Sequence, residues 1–165
     1  MADVSNSNLF QNTEGIHRIK DALVVLVKTE WNAAVVDELE KGCVAVLDQH
    51  QVAHRTLVVP GAVEIPFAIQ QCWKSNQDVS AFVALGCVVR GDTPHFEYVC
   101  QSVTYGISQL NTMLPVPIIF GVLTVNNNEQ AAERIGGRHG HKGEEAAVTA
   151  IKMMLLNEEI IKRNI

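Results

Sequence analysis

Apolar and polar positions along the chain follow two alternating periods. Residues 22–27 (ALVVLV) form a short unbroken apolar run rich in β-branched side chains. Such a run predicts a strand covered on both faces, as in a parallel sheet. Over 31–48 the period becomes helical: Val36, Leu39, Cys43, Val46 and Leu47 fall on one side, and Asp37, Glu38, Glu40 and Lys41 on the other. Residues 56–59 predict a second strand, stopped by Pro60-Gly61. A helix follows over 64–75, with Ile65, Ala68, Ile69 and Cys72 on one face. The run 81–89 predicts a third buried strand, and the polar turn Arg90-Gly91-Asp92-Thr93-Pro94 leads into a helix over 95–112. A fourth strand spans 117–124. Asn126-Asn127-Asn128 is a turn and N-cap cluster ahead of a short helix, 129–135. Residues 136–143 form a Gly- and His-rich loop before a last helix over 143–161.

Strands alternating with helices predict an α/β domain: a four-stranded parallel sheet between two helical layers, joined by right-handed crossovers. Ligands in such sheets bind beyond the carboxyl ends of the strands. That rule directs attention to 29–32, 60–66, 90–95 and 124–128. Composition adds limits. At 165 residues with 47% apolar residues, the chain can bury a core without disulfides or metal. Five Phe, two Trp and two Tyr leave that core to Val, Ile, Leu and Ala. A formal net charge of -5 argues against a nucleic-acid partner and against an acidic-membrane role. No apolar run approaches the roughly 20 residues that span a bilayer. Residues 1–15 are polar and resemble neither a signal nor a transit peptide. They predict a flexible arm whose Leu9-Phe10 pair docks on a neighbouring subunit, ahead of a single domain over 16–165. Cys43, Cys72, Cys87 and Cys100 form no CxxC pair and sit among apolar neighbours. This favours free thiols and a cytoplasmic location over a secreted disulfide framework.

Candidate chemistry gathers after the strands. In Pro60-Gly61-Ala62-Val63-Glu64-Ile65-Pro66, Gly61 permits close backbone approach to a ligand and Glu64 sits at a helix start. Taken alone, Glu64 is better read as a carboxylate complementing a helix dipole. In Gly91-Asp92-Thr93-Pro94-His95, free N–H groups and the Thr93 hydroxyl offer an anion site, and His95 at the helix mouth can move protons near neutral pH. An ordinary helix cap beside a solvated histidine fits the same residues. Trp31 either stacks on a planar ligand or covers the sheet end as core. Arg134, before Gly136-Gly137, is a phosphate or carboxylate clamp or a solvated cation at a helix end. GGRHGHKG over 136–143 is not a P-loop, because His141 stands before Lys142, no Ser or Thr follows it, and no strand precedes it. His139 and His141 lack a third ligand, so no metal site is expected.

Three segments in order, VPGAVEIP at 59–66, ALGCVVRGDTPHFEYVC at 84–100 and IFGVLTVNNNEQAAERIGG at 119–137, resemble the 6,7-dimethyl-8-ribityllumazine synthases. The likeness runs from about residue 20 to residue 160 and includes all three motifs in register. The resemblance implies condensation of 5-amino-6-(D-ribitylamino)uracil with 3,4-dihydroxy-2-butanone 4-phosphate, the penultimate step of riboflavin biosynthesis, without cofactor or metal. It implies His95 as the proton-transfer residue. It implies Arg134 with Asp92 and Thr93 at the phosphate, Asp92 through its N–H. Trp31 stands where an aromatic stacks on the pyrimidine. Ala62, Val63 and Glu64 match the ribityl-binding segment, and Cys87, Val88 and Val89 supply backbone contacts. Phe120 and Lys142 complete the pocket. The family architecture is flavodoxin-like and oligomeric: a ring-shaped pentamer, or pentamers assembled as a decamer or 60-mer. Phe120 and Arg134 would then come from the neighbour of the subunit giving Trp31, Glu64 and His95. The alternative reading is a non-catalytic flavodoxin-like module binding a flavin or phosphorylated ligand at the same loops.

Overall fold

The computed structural model describes residues 7–11 and 21–163. Its elements run β1 (Leu23–Thr29), α1 (Ala33–Gln49), β2 (Ala53–Val59), a 3₁₀ turn (Ala62–Glu64), α2 (Ile65–Ser75), β3 (Ala81–Val89), α3 (His95–Met113), β4 (Ile118–Val125), α4 (Asn128–Ala132), β5 (Ile135–Gly137), β6 (Gly140–His141) and α5 (Lys142–Arg163). The main sheet has the order β2-β1-β3-β4, every pairing parallel. The expected four-stranded parallel sheet is therefore present, in the flavodoxin-like order.

The strand alternation builds the two faces. Val24, Leu26, Val83 and Leu85 pack with α1 and α5 residues such as Leu39 and Ile151. Val25, Val27, Phe82 and Ala84 pack with α2 and α3 residues such as Ile69 and Val103. The result is three layers, with an aliphatic core in which Phe82 is the one large aromatic buried completely among the described residues. β1 and β3 lie inside the sheet and read as largely apolar, β1 over Leu23–Val27 and β3 throughout, whereas β2 is an edge strand with only Val59 buried. That edge position explains why β2 begins at Ala53, earlier than expected: its first residues, Ala53-His54-Arg55, need no apolar pattern.

Two other differences have local causes. α4 ends at Ala132 because Ile135 leaves the helix to pair with His141. The stretch expected as loop is thus an antiparallel β5–β6 hairpin, with Gly136 at φ 110° and Gly140 at φ 74°. Asn127 caps α4 as expected, its side chain accepting from the Gln130 N–H at 2.9 Å. The arm–domain boundary expected near residue 15 lies outside the described residues. Residues 7–11 fold back on their own chain, where the Lys152 ammonium donates to the Asn8 carbonyl at 3.3 Å. Leu9 and Phe10, expected on a neighbouring subunit, here line clefts built partly by α5 of the same chain.

α1 and α5 touch through glycine. A Cβ on Gly143 would lie 2.0 Å from the Leu39 carbonyl oxygen, and one on Gly42 would lie 2.1 Å from His141 Cε1. His141 also accepts from the Glu144 N–H at 3.4 Å, so it packs against α1 and caps the start of α5. His139 lies 3.6 Å from the Glu133 carboxylate. Among the described residues, no group of three or more His, Cys, Asp or Glu is placed to hold a metal, and no helix is long and apolar enough to cross a membrane.

Gly143→Ala therefore forces α1 and α5 apart and is expected to cost about 1–3 kcal/mol, the range for overpacking. Gly91→Ala, whose methyl would meet nothing within 4 Å, should stay within about 0.5 kcal/mol of the parent in urea titration. On β1, Lys28 bonds to Glu40 and, at 2.9 Å, to Asp37. The Glu40 bond, then the Asp37 bond, raises the Lys28 pKa above 10.5. A raised folded pKa contributes stability below the unfolded value and loses it as pH rises through the folded one. The urea midpoint advantage of the parent over Lys28→Met should thus be constant through neutral pH and shrink above about pH 10.5.

Candidate active site

The strand order decides where a crevice opens. From β1 the chain crosses to β2 on one side, and the later elements build β3 and β4 on the other. The loops after β1 and β3 therefore part, and parted loops at a switch point leave a ligand crevice. Short hydrogen bonds fix its rim. The Glu30 N–H donates to the Val59 carbonyl at 2.9 Å and the Trp31 N–H to the Pro60 carbonyl at 3.3 Å, tying the β1 loop to the β2 loop. Asn32, left-handed at φ 58°, donates from Nδ2 to the Cys87 carbonyl at 2.8 Å and bridges the β1 loop to β3. The Arg90 N–H donates to the Val125 carbonyl at 2.9 Å, tying β3 to β4.

A cleft of about 580 Å³ occupies this crevice. Trp31 lines one part, with Ala62, Val63 and Glu64 beside it. Cys87, Val88 and Val89 give the β3 wall, and His95 stands at the start of α3. Trp31 is 74% exposed, which removes the core reading of this ring. Gly61 leaves room for its neighbours in this cleft: a Cβ there would meet Glu64 Oε2 at 2.9 Å and Trp31 Cδ1 at 3.5 Å. Glu64 makes no capping bond to α2, so its carboxylate is available to the cleft. No side chain caps α3 either, so the ordinary-cap reading of Asp92 and Thr93 does not hold. Both residues lie in the exposed turn that delivers His95.

The remaining candidates lie elsewhere on the chain. Phe120, 41% exposed on the sheet-edge strand β4, lines a second cleft with Lys142 and Glu145. Lys142 is the first residue of α5 and is buried, its ammonium bonded to Glu145 at 2.6 and 2.8 Å. Arg134 follows α4 and donates from Nη1 to the Gln130 carbonyl at 2.7 Å. One chain thus assembles the residues at the ends of β1, the β2 loop and β3, and holds Phe120 and Lys142 in a separate cleft. Sequence reasoning pointed to 29–32 but gave Thr29 and Asn32 no role, and it passed over Val99; all three also line the first cleft. A polar Asn between a strand and a helix is the signal that marks Asn32, since Asn tolerates the left-handed conformation.

All four cysteines are free. Burial pushes the Cys43 thiol up to about 12 and the Cys87 thiol up to about 11, so neither is a thiolate near neutral pH. Cys87 therefore serves the cleft as a wall, not as a nucleophile.

Fold and cleft together define a doubly wound α/β protein with a cleft at its switch point, lined by a histidine, a carboxylate and an exposed indole. The 6,7-dimethyl-8-ribityllumazine synthase family profile matches residues 21–158. A 6,7-dimethyl-8-ribityllumazine synthase of Porphyromonas gingivalis is 48% identical over 137 residues, 81% of this chain and 84% of that protein. Proteins of the same name from Parabacteroides distasonis and Bdellovibrio bacteriovorus are each 46% identical, over 78% and 83% of this chain and 82% and 76% of theirs. The chain belongs to the 6,7-dimethyl-8-ribityllumazine synthase family. It is accordingly an enzyme, a transferase of riboflavin biosynthesis.

The thiol environments have a direct test. In folded protein at pH 8, iodoacetamide should leave Cys43 and Cys87 unmodified, and both should react once urea unfolds the chain, as read by peptide mass spectrometry.

Proposed function

We propose that the β1/β3 cleft is one half of the active site for the family's reaction and that a second copy of the chain supplies the other half. The enzyme condenses 5-amino-6-(D-ribitylamino)uracil with 3,4-dihydroxy-2-butanone 4-phosphate to give 6,7-dimethyl-8-ribityllumazine, phosphate and water. The observation that carries the residue assignment is the convergence of Trp31, Glu64 and His95, from three separate chain segments, on one cleft.

Trp31 stacks on the pyrimidine, using its exposed face. Glu64 accepts hydrogen bonds from ribityl hydroxyls, which a carboxylate does well for a polyol. Ala62 and Val63 hold the chain of that group, and Cys87, Val88 and Val89 present β3 backbone to the ring. His95 moves protons during imine formation, phosphate elimination and the later tautomerisation, ring closure and dehydration. The phosphate binds at the uncapped start of α3, where the Asp92 N–H and Thr93 hydroxyl meet the positive end of the helix dipole. Arg134 closes over it as a guanidinium clamp.

Phe120 and Lys142 sit apart from His95 within one chain, which supports their contribution to a neighbouring copy's cleft. Arg134 joins them from the same side. Lys142, neutralised by Glu145, acts there as a hydrogen-bond donor more than as a free charge. The assembly that satisfies this sharing is a homo-oligomer built on a ring-shaped pentamer. The reaction uses no cofactor, and the protein works in the cytoplasm on small-molecule substrates.

Steady-state turnover with both substrates, followed by lumazine absorbance, tests the reading, and folded protein without turnover would return the chain to a binding role. Arg134→Ala should raise KM for the butanone phosphate roughly 10- to 100-fold, as expected for a lost charge-assisted hydrogen bond, with little change in KM for the pyrimidine. Equal effects on both contradict the clamp. His95→Ala should lower kcat roughly 10- to 100-fold, the lower part of the acid–base range because imine chemistry partly runs unaided. An unchanged kcat removes His95 from the proton transfers.

A further inference from the structure

Arg90 has no part in the roles given above, yet it ties several pieces of the site's frame together. It is the first residue after β3, and its guanidinium has three partners. The carbon Cζ lies 4.2 Å from the Phe96 ring centroid, over the aromatic face. Nη1 donates to Glu97 Oε1. Nε donates to the Asn126 side-chain oxygen at 3.0 Å. Phe96 and Glu97 are the second and third residues of α3 and directly follow His95. Asn126 is the first residue after β4.

The Asn126 contact leads on. The Asn126 N–H donates to Gln130 Oε1 at 2.8 Å, and the Gln130 carbonyl accepts from Arg134 Nη1 at 2.7 Å. One side chain therefore joins the turn bearing His95 to the loop whose hydrogen bonds end on Arg134. The other oxygen of Glu97, Oε2, is shielded and has no hydrogen-bond partner among the described residues, so Arg90 is the side chain that holds this carboxylate. The Arg90 bond also keeps the Glu97 carboxyl below its ordinary range, so both groups are charged at neutral pH and compensate each other. A compensated guanidinium is a poor candidate for a direct phosphate ligand. Its geometry suits a different role, because a planar fork stacks on a ring and donates in two directions at once, which an ammonium cannot do.

We propose that Arg90 is a positioning residue for the reaction, fixing the first turn of α3, and with it His95 of one cleft, against the β4–α4 loop, whose hydrogen bonds end on the Arg134 that serves a neighbouring copy's cleft. This rests on the reading of His95 as the proton-transfer residue. Misplacing a reacting group by an ångström can cost as much as about 100-fold in rate.

The test compares the parent with Arg90→Gln, Arg90→Lys, Asn126→Ala and the Arg90→Gln/Asn126→Ala pair, by steady-state kinetics and hydrogen exchange on the assembled protein. Arg90→Gln should lower kcat about 5- to 30-fold while KM for each substrate moves less than about 3-fold. Arg90→Lys should not restore it, and the pair should lose little more than Arg90→Gln alone, because both substitutions break one tie. Exchange should quicken together in peptides covering 96–103 and 126–134, with those from β1 and β3 unchanged. A KM for butanone phosphate raised 10-fold at constant kcat makes Arg90 a phosphate ligand and overturns the proposal. So does a kcat within 2-fold of the parent in Arg90→Gln, full rescue by Arg90→Lys, or unchanged exchange in both peptides. Asn126→Ala keeps the Arg90–Glu97 pair intact, so it reads the same tie should Arg90→Gln fail to fold, and parental kcat and exchange there overturn the proposal as well. Inactivity of the parent counts against the proposed reaction, while the exchange measurement decides the role of Arg90 independently of turnover.

Discussion

Everything at the candidate site depends on the pairing of β1 with β3 at the centre of a parallel sheet. Parallel neighbours cannot be joined by a tight turn, so each strand is followed by a helical crossover. Because the chain leaves β1 toward one edge and later continues from β3 toward the other, the two crossovers part above the pair. The backbone ends there without covering itself. The Thr29–Trp31 turn and the Val89–His95 turn become walls of a crevice, while the strands beneath are mostly buried. The sheet thus supplies a stiff floor and leaves the functional groups on short loops.

Those loops are short but not free. The β1 loop is bonded to the β2 loop and, through Asn32, to β3; the β3 loop is bonded to the end of β4. Each tie uses a backbone group that a strand end would otherwise leave unpaired, so the same bonds that satisfy the backbone also set the distances in the cleft. Preorganisation of this kind costs nothing when substrate arrives, which suits a reaction whose catalyst mostly holds two reactants and moves protons. The glycine contact between α1 and α5 plays a comparable part on the opposite layer, bringing the start of α5, with Lys142 and Glu145, close against α1 and beside the β4 edge.

Much of this was readable from the residues. β1, β3, α1, α2 and α3 announce themselves because burial on two faces or one forces unbroken or 3.6-period apolar patterns. The three strand-end motifs drew attention to His95, Glu64 and Trp31 because Gly, Pro and polar side chains interrupt apolar runs where a loop must form, and the family resemblance then supplied their roles. Other features left weaker marks. β2 lies on an edge and needs no pattern over Ala53–Arg55. The β5–β6 hairpin is five residues of strand in two pieces, too short for a period of two to show. The 7–11 segment carries two apolar residues, which is compatible with docking on its own α5 or on another copy, and sequence cannot choose between surfaces that are equally apolar.

By itself, then, the amino-acid order determined the layering and the strand count, which follow from local periodicity, and it supplied candidate site residues whose roles came from the family resemblance of its motifs. Tertiary structure decided which of those residues meet. It brought Trp31, Glu64 and His95 to one cleft and set Phe120 and Lys142 in another, because strand order and not chain order fixes what faces what. It also chose between equivalent readings of single residues, exposing Trp31, leaving α3 uncapped and burying the Lys142 ammonium against Glu145. Burial and hydrogen-bond partnership are properties of the packed molecule, and no periodicity in the chain encodes them.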